Sequence, residues 1–217
     1  MFIGHFALGL GAKKAAPKPS LGTLFLAAQF VDLLWPFLLL TGWEVVKVEP
    51  GNTVFTPLNF VHYPISHSLL MTVAWGLIIG GIYYYFRKDK NGAIWLAALT
   101  VSHWVLDFLT HRPDLPLYPG GMKVGLGLWN SLAGTILVEG IIFGVGIYFF
   151  LKSTKAKNKT GVYSFWSLVI FLMVIYVSNI WGPPPPDSAN AIAIVGLAQW
   201  LLIAWGYWID RNRVAAV

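Results

Sequence analysis

The chain has 217 residues, of which 57% are hydrophobic and only 11% charged, with a formal net charge of +6. A soluble domain of this length needs far more charge to cover its surface, so the composition excludes one. The absence of cysteine excludes thiol nucleophiles, thiolate metal sites and disulfides. The basic residues fall in short clusters between apolar blocks, a pattern of membrane orientation, and no nucleic-acid partner is expected.

The first ten residues are apolar apart from His5, and Lys13, Lys14 and Lys18 follow them. A cleaved signal peptide has the opposite order. The segment therefore reads as retained and too short to cross the bilayer, a re-entrant or half-spanning piece. A helix needs roughly 20 apolar residues to cross the hydrocarbon core. Blocks of that kind lie at 20–42, 66–86, 92–110, 129–151, 161–181 and 189–208. The expected fold is all-α, a single polytopic membrane bundle of about six transmembrane helices over residues 1–217. The proline run from Gly182 to Asp187 ends the fifth span, because proline cannot continue a helix.

Positive charge alternates along the chain. Lys13, Lys14 and Lys18 precede the first span, Arg87, Lys88 and Lys90 follow the second, Lys152, Lys155, Lys157 and Lys159 follow the fourth, and Arg211 and Arg213 follow the sixth. The other loops carry only Lys47, Arg112 and Lys123, offset by Glu44, Glu49, Asp114 and Asp187. The positive-inside rule then puts both termini in the cytoplasm.

Ionisable residues within spans are costly and ask for a partner or a purpose. Asp32 lies late in the first span, and His62 and His67 flank the start of the second. His103 and Asp107 lie four residues apart on the third, hence on one helical face, and His111 falls one turn further along it. Under the charge-derived topology these groups converge near the outer face, and His5 can join them from below. Imidazole with carboxylate suits a divalent ion, zinc first, manganese or iron next. Pro64 and an N-cap at Ser66 would put His62 in a turn before the helix. Taken singly, each group has a plainer reading: His62 and His111 as interfacial side chains, Asp32 as a helix cap or partner of Arg112, Asp210 as a solvated helix end. Glu139 suits a cavity or supporting role.

At these residues the chain resembles the bacterial inner-membrane proteins of the YdjM-like family of metal-dependent hydrolases. The matching elements are Gly4-His5, Asp32 to Pro36, His62 to Ser68, and His103 to Asp107 leading into Leu115-Pro116-Leu117-Tyr118-Pro119. They cover roughly the first 120 residues in the family's order. The resemblance implies His5, Asp32, His62, His67, His103 and Asp107 as metal or catalytic residues. Two departures stand out: Leu34 occupies the place of a second aspartate, and Tyr63-Pro64 that of an Arg-Gly pair. Asp114 or His111 could make up a lost ligand.

The leading expectation is an integral membrane metal-dependent hydrolase of the inner membrane, acting on a lipid-linked or amphipathic substrate such as a phosphoester. His5, Asp32, His67, His103 and Asp107 would hold the metal, His62 or His111 would move a proton, and Arg112 would clamp an anion. A small transporter or channel could use the same groups for protons or cations, and a chain this short could act as a homo-oligomer. Haem ligation by His67 and His103, or a scaffold stabilised by the cluster, complete the alternatives.

Overall fold

The computed structural model describes residues 1–216 and is helical along most of its length. Helix α1 (Phe2–Ala12) is followed by α2 (Leu21–Ala28) and α3 (Phe30–Leu40), then by a ribbon of β1 (Val45–Val48) and β2 (Leu58–His62). The single turn α4 (Pro64–His67) leads into α5 (Leu69–Arg87) and α6 (Lys90–Thr110). A second ribbon, β3 (Leu115–Pro116) with β4 (Lys123–Val124), precedes a 3-10 turn (Leu128–Asn130) and α7 (Leu132–Ser153). Strand β5 (Thr154–Ala156), helices α8 (Lys159–Trp181), α9 (Ala189–Leu197) and α10 (Gln199–Arg211), and β6 (Arg213–Ala215) complete the chain.

Among the described residues, five helical stretches are long and apolar enough to cross a membrane, with α9 and α10 together forming one of them; the pair α2–α3 makes a sixth if it is counted as one span. That pair is bent by 56° at Gln29, where the sequence reading expects one unbroken span at 20–42. Ordinary helix signals set the other starts. Ser68, Ser131, Asn158 and Ser188 each accept a backbone N–H from the first turn of the helix they precede. The cap expected at Ser66 thus falls on Ser68, and His67 sits in the separate turn α4, before the span begins.

Helix α1 is buried on most of its circumference. It packs against α7, α2 and α6, which suits an apolar helix of 11 residues too short to cross alone. Its approach to α7 requires Gly146, since any Cβ there would overlap the Ala7 backbone. On α5, Gly76 and Gly80 make the same close approach to the Ala97 and Ala93 carbonyls of α6, whereas Gly81 and, on α7, Gly144 face open space. Elsewhere α5 shows Leu70, Leu77, Ile78, Ile82 and Tyr85 to the surroundings, an apolar face that lipid covers.

The three short ribbons have no counterpart in the sequence reading. The third joins the β5 and β6 strands through Arg213, whose guanidinium donates to the Thr154 hydroxyl, the Thr154 carbonyl and the Gly161 carbonyl. Its faces lie over the rings of Phe150 and Phe165. Asp210, read as a solvated helix end, instead pairs with Lys13 at 2.9 Å and accepts the N–H of Leu21, tying α10 to the start of α2.

A candidate metal centre of buried histidines and aspartates

His103 and Asp107 are one helical turn apart on α6, and His103 Nε2 lies 3.2 Å from Asp107 Oδ2. The bend in α2–α3 shapes the opposite wall. There the Ala27 carbonyl accepts from the Thr100 hydroxyl and the Ala28 carbonyl from His103 Nδ1–H, at 3.1 and 2.8 Å. The same bend turns Asp32, in the first turn of α3, toward α6. Its Oδ1 lies 3.6 Å from His103 Nε2 and 3.2 Å from His67 Nε2. Helix α1 brings His5, whose Nε2 lies 3.0 Å from Asp107 Oδ1 and whose ring stacks on His103 with centroids 3.5 Å apart. The Met1 ammonium is 2.6 Å from the same Asp107 oxygen.

The chain thus brings together His5, Asp32, His67, His103 and Asp107. They form two overlapping triads, His5–His103–Asp107 and Asp32–His67–His103, and within each the ligand atoms lie within 4.8 Å of one another. All are buried except the Asp32 side chain, 25% exposed, so the cluster opens to its surroundings at Asp32.

Hydrogen bonding favours a cation at this point. His103 Nδ1–H is committed to Ala28, and its Nε2 is buried, without a hydrogen-bond partner and facing two carboxylates. Carboxylates gathered round one buried point call for positive charge there, which the Met1 ammonium supplies at Asp107 Oδ1 and a bound ion would supply between Asp32 and Asp107. Metal-ligating histidines show the same habit, with the distal N–H held by a carbonyl or carboxylate. The donor set therefore fits a divalent ion.

The other expected residues fall elsewhere. His62 ends β2 exposed and makes no hydrogen bond, ion pair or ring contact with the cluster. Helix α6 stops at Thr110, so His111 adopts an extended backbone and leaves the face carrying His103 and Asp107. Its Nδ1 lies 3.0 Å from Asp114 Oδ1, an oxygen that also accepts the Tyr63 hydroxyl at 3.0 Å. Arg112 donates from Nε to Asp114 Oδ2 at 3.0 Å and from its terminal nitrogen to Asn59. Asp114 therefore belongs to this second group and does not replace a metal ligand, and Asp32 pairs with histidines instead of Arg112. Burial pushes the Asp114 carboxyl up, but the hydrogen bond and charge of His111, with Arg112 and Tyr63, outweigh it and hold the pKa below the usual value. Tyr63 connects the two groups, its ring 5.2 Å from that of His67 and 6.0 Å from that of His111. Arg112 and Asp114 line a depression of about 410 Å³ shared with Asn59 and Lys123.

Sequence reasoning gives no site role to Glu44, read as a loop charge, to Ser66, read as a helix cap, or to Gln29. Glu44 is buried and joined through Ser66 to His67. Gln29 is fully buried at the bend, and neither end of its amide has a partner among the described residues. A polar residue inside an apolar span was the available signal. Glu139, read as supporting the site, does so through α1: its Oε2 accepts the Ile3 N–H at 3.2 Å, two residues before His5.

A bundle of membrane-length helices around a His/Asp cluster defines a multi-pass membrane protein with a candidate metal centre. The family described as YdjM inner membrane protein matches residues 1–182, and the chain belongs to that family. The match runs well beyond the first 120 or so residues that carry the motif resemblance, through α7 and α8. No curated protein and no solved structure matches the chain.

Proposed function

We propose that the chain is an integral membrane metal-dependent hydrolase whose ion is held by His67, His103 and Asp107, with Asp32 and His5 as further ligands. The observation that carries this reading is the buried, unpartnered Nε2 of His103 facing two carboxylates. Zinc matches a set of imidazoles and carboxylates best, and manganese or iron are compatible. When bound, such an ion polarises a substrate oxygen and makes water a nucleophile near neutral pH.

The chain's own residues supply the rest. Asp114 accepts His111 Nδ1–H, leaving His111 Nε2 to take or give a proton. This assignment replaces His62, which lies apart from the cluster. Arg112, held flat by Asp114 and Asn59 at the wall of the depression, suits an anionic group such as a phosphoester. Access at Asp32, within a bundle faced by lipid, suits a lipid-linked or amphipathic substrate. Charge alternation supports an inner-membrane orientation with this end outward and both termini in the cytoplasm.

The test is metal content and phosphoesterase activity of purified protein, wild type against His103→Ala and Asp107→Ala. Stoichiometric zinc that disappears in both variants, together with activity, supports the reading; no metal and no effect of either substitution overturns it. A transport reading draws on one observation, the broken helix at Gln29, since discontinuous helices mark substrate sites in many transporters. It predicts ion-dependent uptake into liposomes without product formation.

A further inference from the structure

Glu44 lies outside the cluster and beyond every motif noted above. It is nevertheless buried to 2% exposure beside a histidine of the site. Helix α3 ends at a left-handed Gly42 (φ +74°), and the Trp43 and Glu44 N–H groups both return to the Leu38 carbonyl. That turn aims the Glu44 side chain back at α4. Its Oε1 accepts the N–H groups of Ile65 and Ser66 at 2.7 and 2.8 Å. Its Oε2 accepts the Ser66 hydroxyl at 2.5 Å, and the same hydroxyl oxygen lies 2.6 Å from His67 Nδ1.

Proton bookkeeping along this chain leaves one arrangement. A carboxylate can only accept, and serine has one hydroxyl proton. That proton goes to Glu44, so the Ser66 oxygen must accept from His67 and Nδ1 must carry the hydrogen. His67 Nε2 is then the nitrogen turned into the cluster, 3.2 Å from Asp32 Oδ1, where a bound cation would replace the proton it shares with that carboxylate. We infer that Glu44 is a positioning residue that, through Ser66, holds a proton on Nδ1 of His67 so that Nε2 is the nitrogen offered as a ligand. The tautomer itself follows from Glu44 and Ser66 alone; the consequence for metal affinity rests on the metal reading above.

The isosteric Glu44→Gln variant reverses the polarity of the relay. The two backbone N–H donors retain the glutamine carbonyl, so its NH2 faces Ser66 and donates to the hydroxyl oxygen. The Ser66 proton then turns to His67 Nδ1, and the histidine's hydrogen moves to Nε2, where it is lost as a ligand. The experiment is 15N NMR of histidine-labelled, zinc-free protein in detergent at neutral pH, with His67→Asn to assign the signal, followed by zinc titration of the same samples.

The expected result is a protonated Nδ1 on His67 in the wild type, an unprotonated Nδ1 with the hydrogen on Nε2 in Glu44→Gln, and about 10- to 100-fold weaker zinc binding in the variant. A wild-type His67 with no proton on Nδ1 overturns the inference, and this arm decides the matter even if the variant does not fold. A folded variant with unchanged tautomer and unchanged zinc affinity overturns it as well. If the tautomer switches but the wild type takes up no zinc, the positioning role stands and the metal reading fails.

Discussion

The rings of His5 and His103 stack with centroids 3.5 Å apart and planes inclined by 4°. They come from the short helix α1 and the spanning helix α6, so the stack reports where α1 is seated. His5→Phe keeps an aromatic ring on His103 but removes the nitrogen that meets Asp107. The expected outcome is a nearly unchanged melting temperature with zinc affinity lowered by about tenfold or more, measured by competition with a chelating dye.

Gly146 sets the seat of α1 from the other side. Leucine there must push against the Ala7 backbone, and overpacking of this kind costs about 1–3 kcal/mol. Gly146→Leu should lower thermal stability and weaken zinc binding together, because His5 moves with α1. Gly144→Leu, one residue pair away in open space, should do neither. Parallel melting curves and zinc titrations check both.

The Asp114 group gives a pH dependence with a definite sign. Its folded-state pKa is depressed, so its contribution to stability is present above the unfolded value of about 3.9 and is lost as pH falls through the folded one. Wild type should therefore be more stable than Asp114→Asn at neutral pH. The gap should shrink as the solution is taken below about pH 4. Melting temperatures of the two proteins across this range test it; a gap that widens in acid contradicts the assignment.

Arg213 is a purely structural counterpart. Burial pushes its pKa down, yet the side chain is retained by three donated hydrogen bonds and two aromatic faces. Arg213→Met should cost about 3 kcal/mol through the carbonyls and hydroxyl left unpaired, seen as a fall of several degrees in melting temperature. Zinc affinity should not change.

Much of this architecture is legible in the chain because its signals are local or averaged over many residues. The span lengths follow from apolar runs, and the pairing of His103 with Asp107 follows from helical spacing. The convergence of Asp32 and His67 on them follows from depth once the topology is drawn, and His5 joins only on the further condition that its segment enters from the inner side. The bend at Gln29 is not legible, since residues 20–42 read as one continuous apolar run. His111 was misplaced because a helix end is worth only a residue or two in sequence, and stopping at Thr110 sends its ring to Asp114. Glu44 escaped because its partners depend on a left-handed turn and a one-turn helix. Asp210 escaped because Lys13 is remote in sequence.

The central claim is that His67, His103 and Asp107 surround one divalent ion, and anomalous diffraction at the zinc edge from crystals of zinc-loaded protein tests it most directly. The account predicts a peak about 2.0–2.2 Å from His67 Nε2, His103 Nε2 and an Asp107 oxygen. Stoichiometric zinc in the crystal with no peak at these three side chains, or with its peak among other residues, would contradict it.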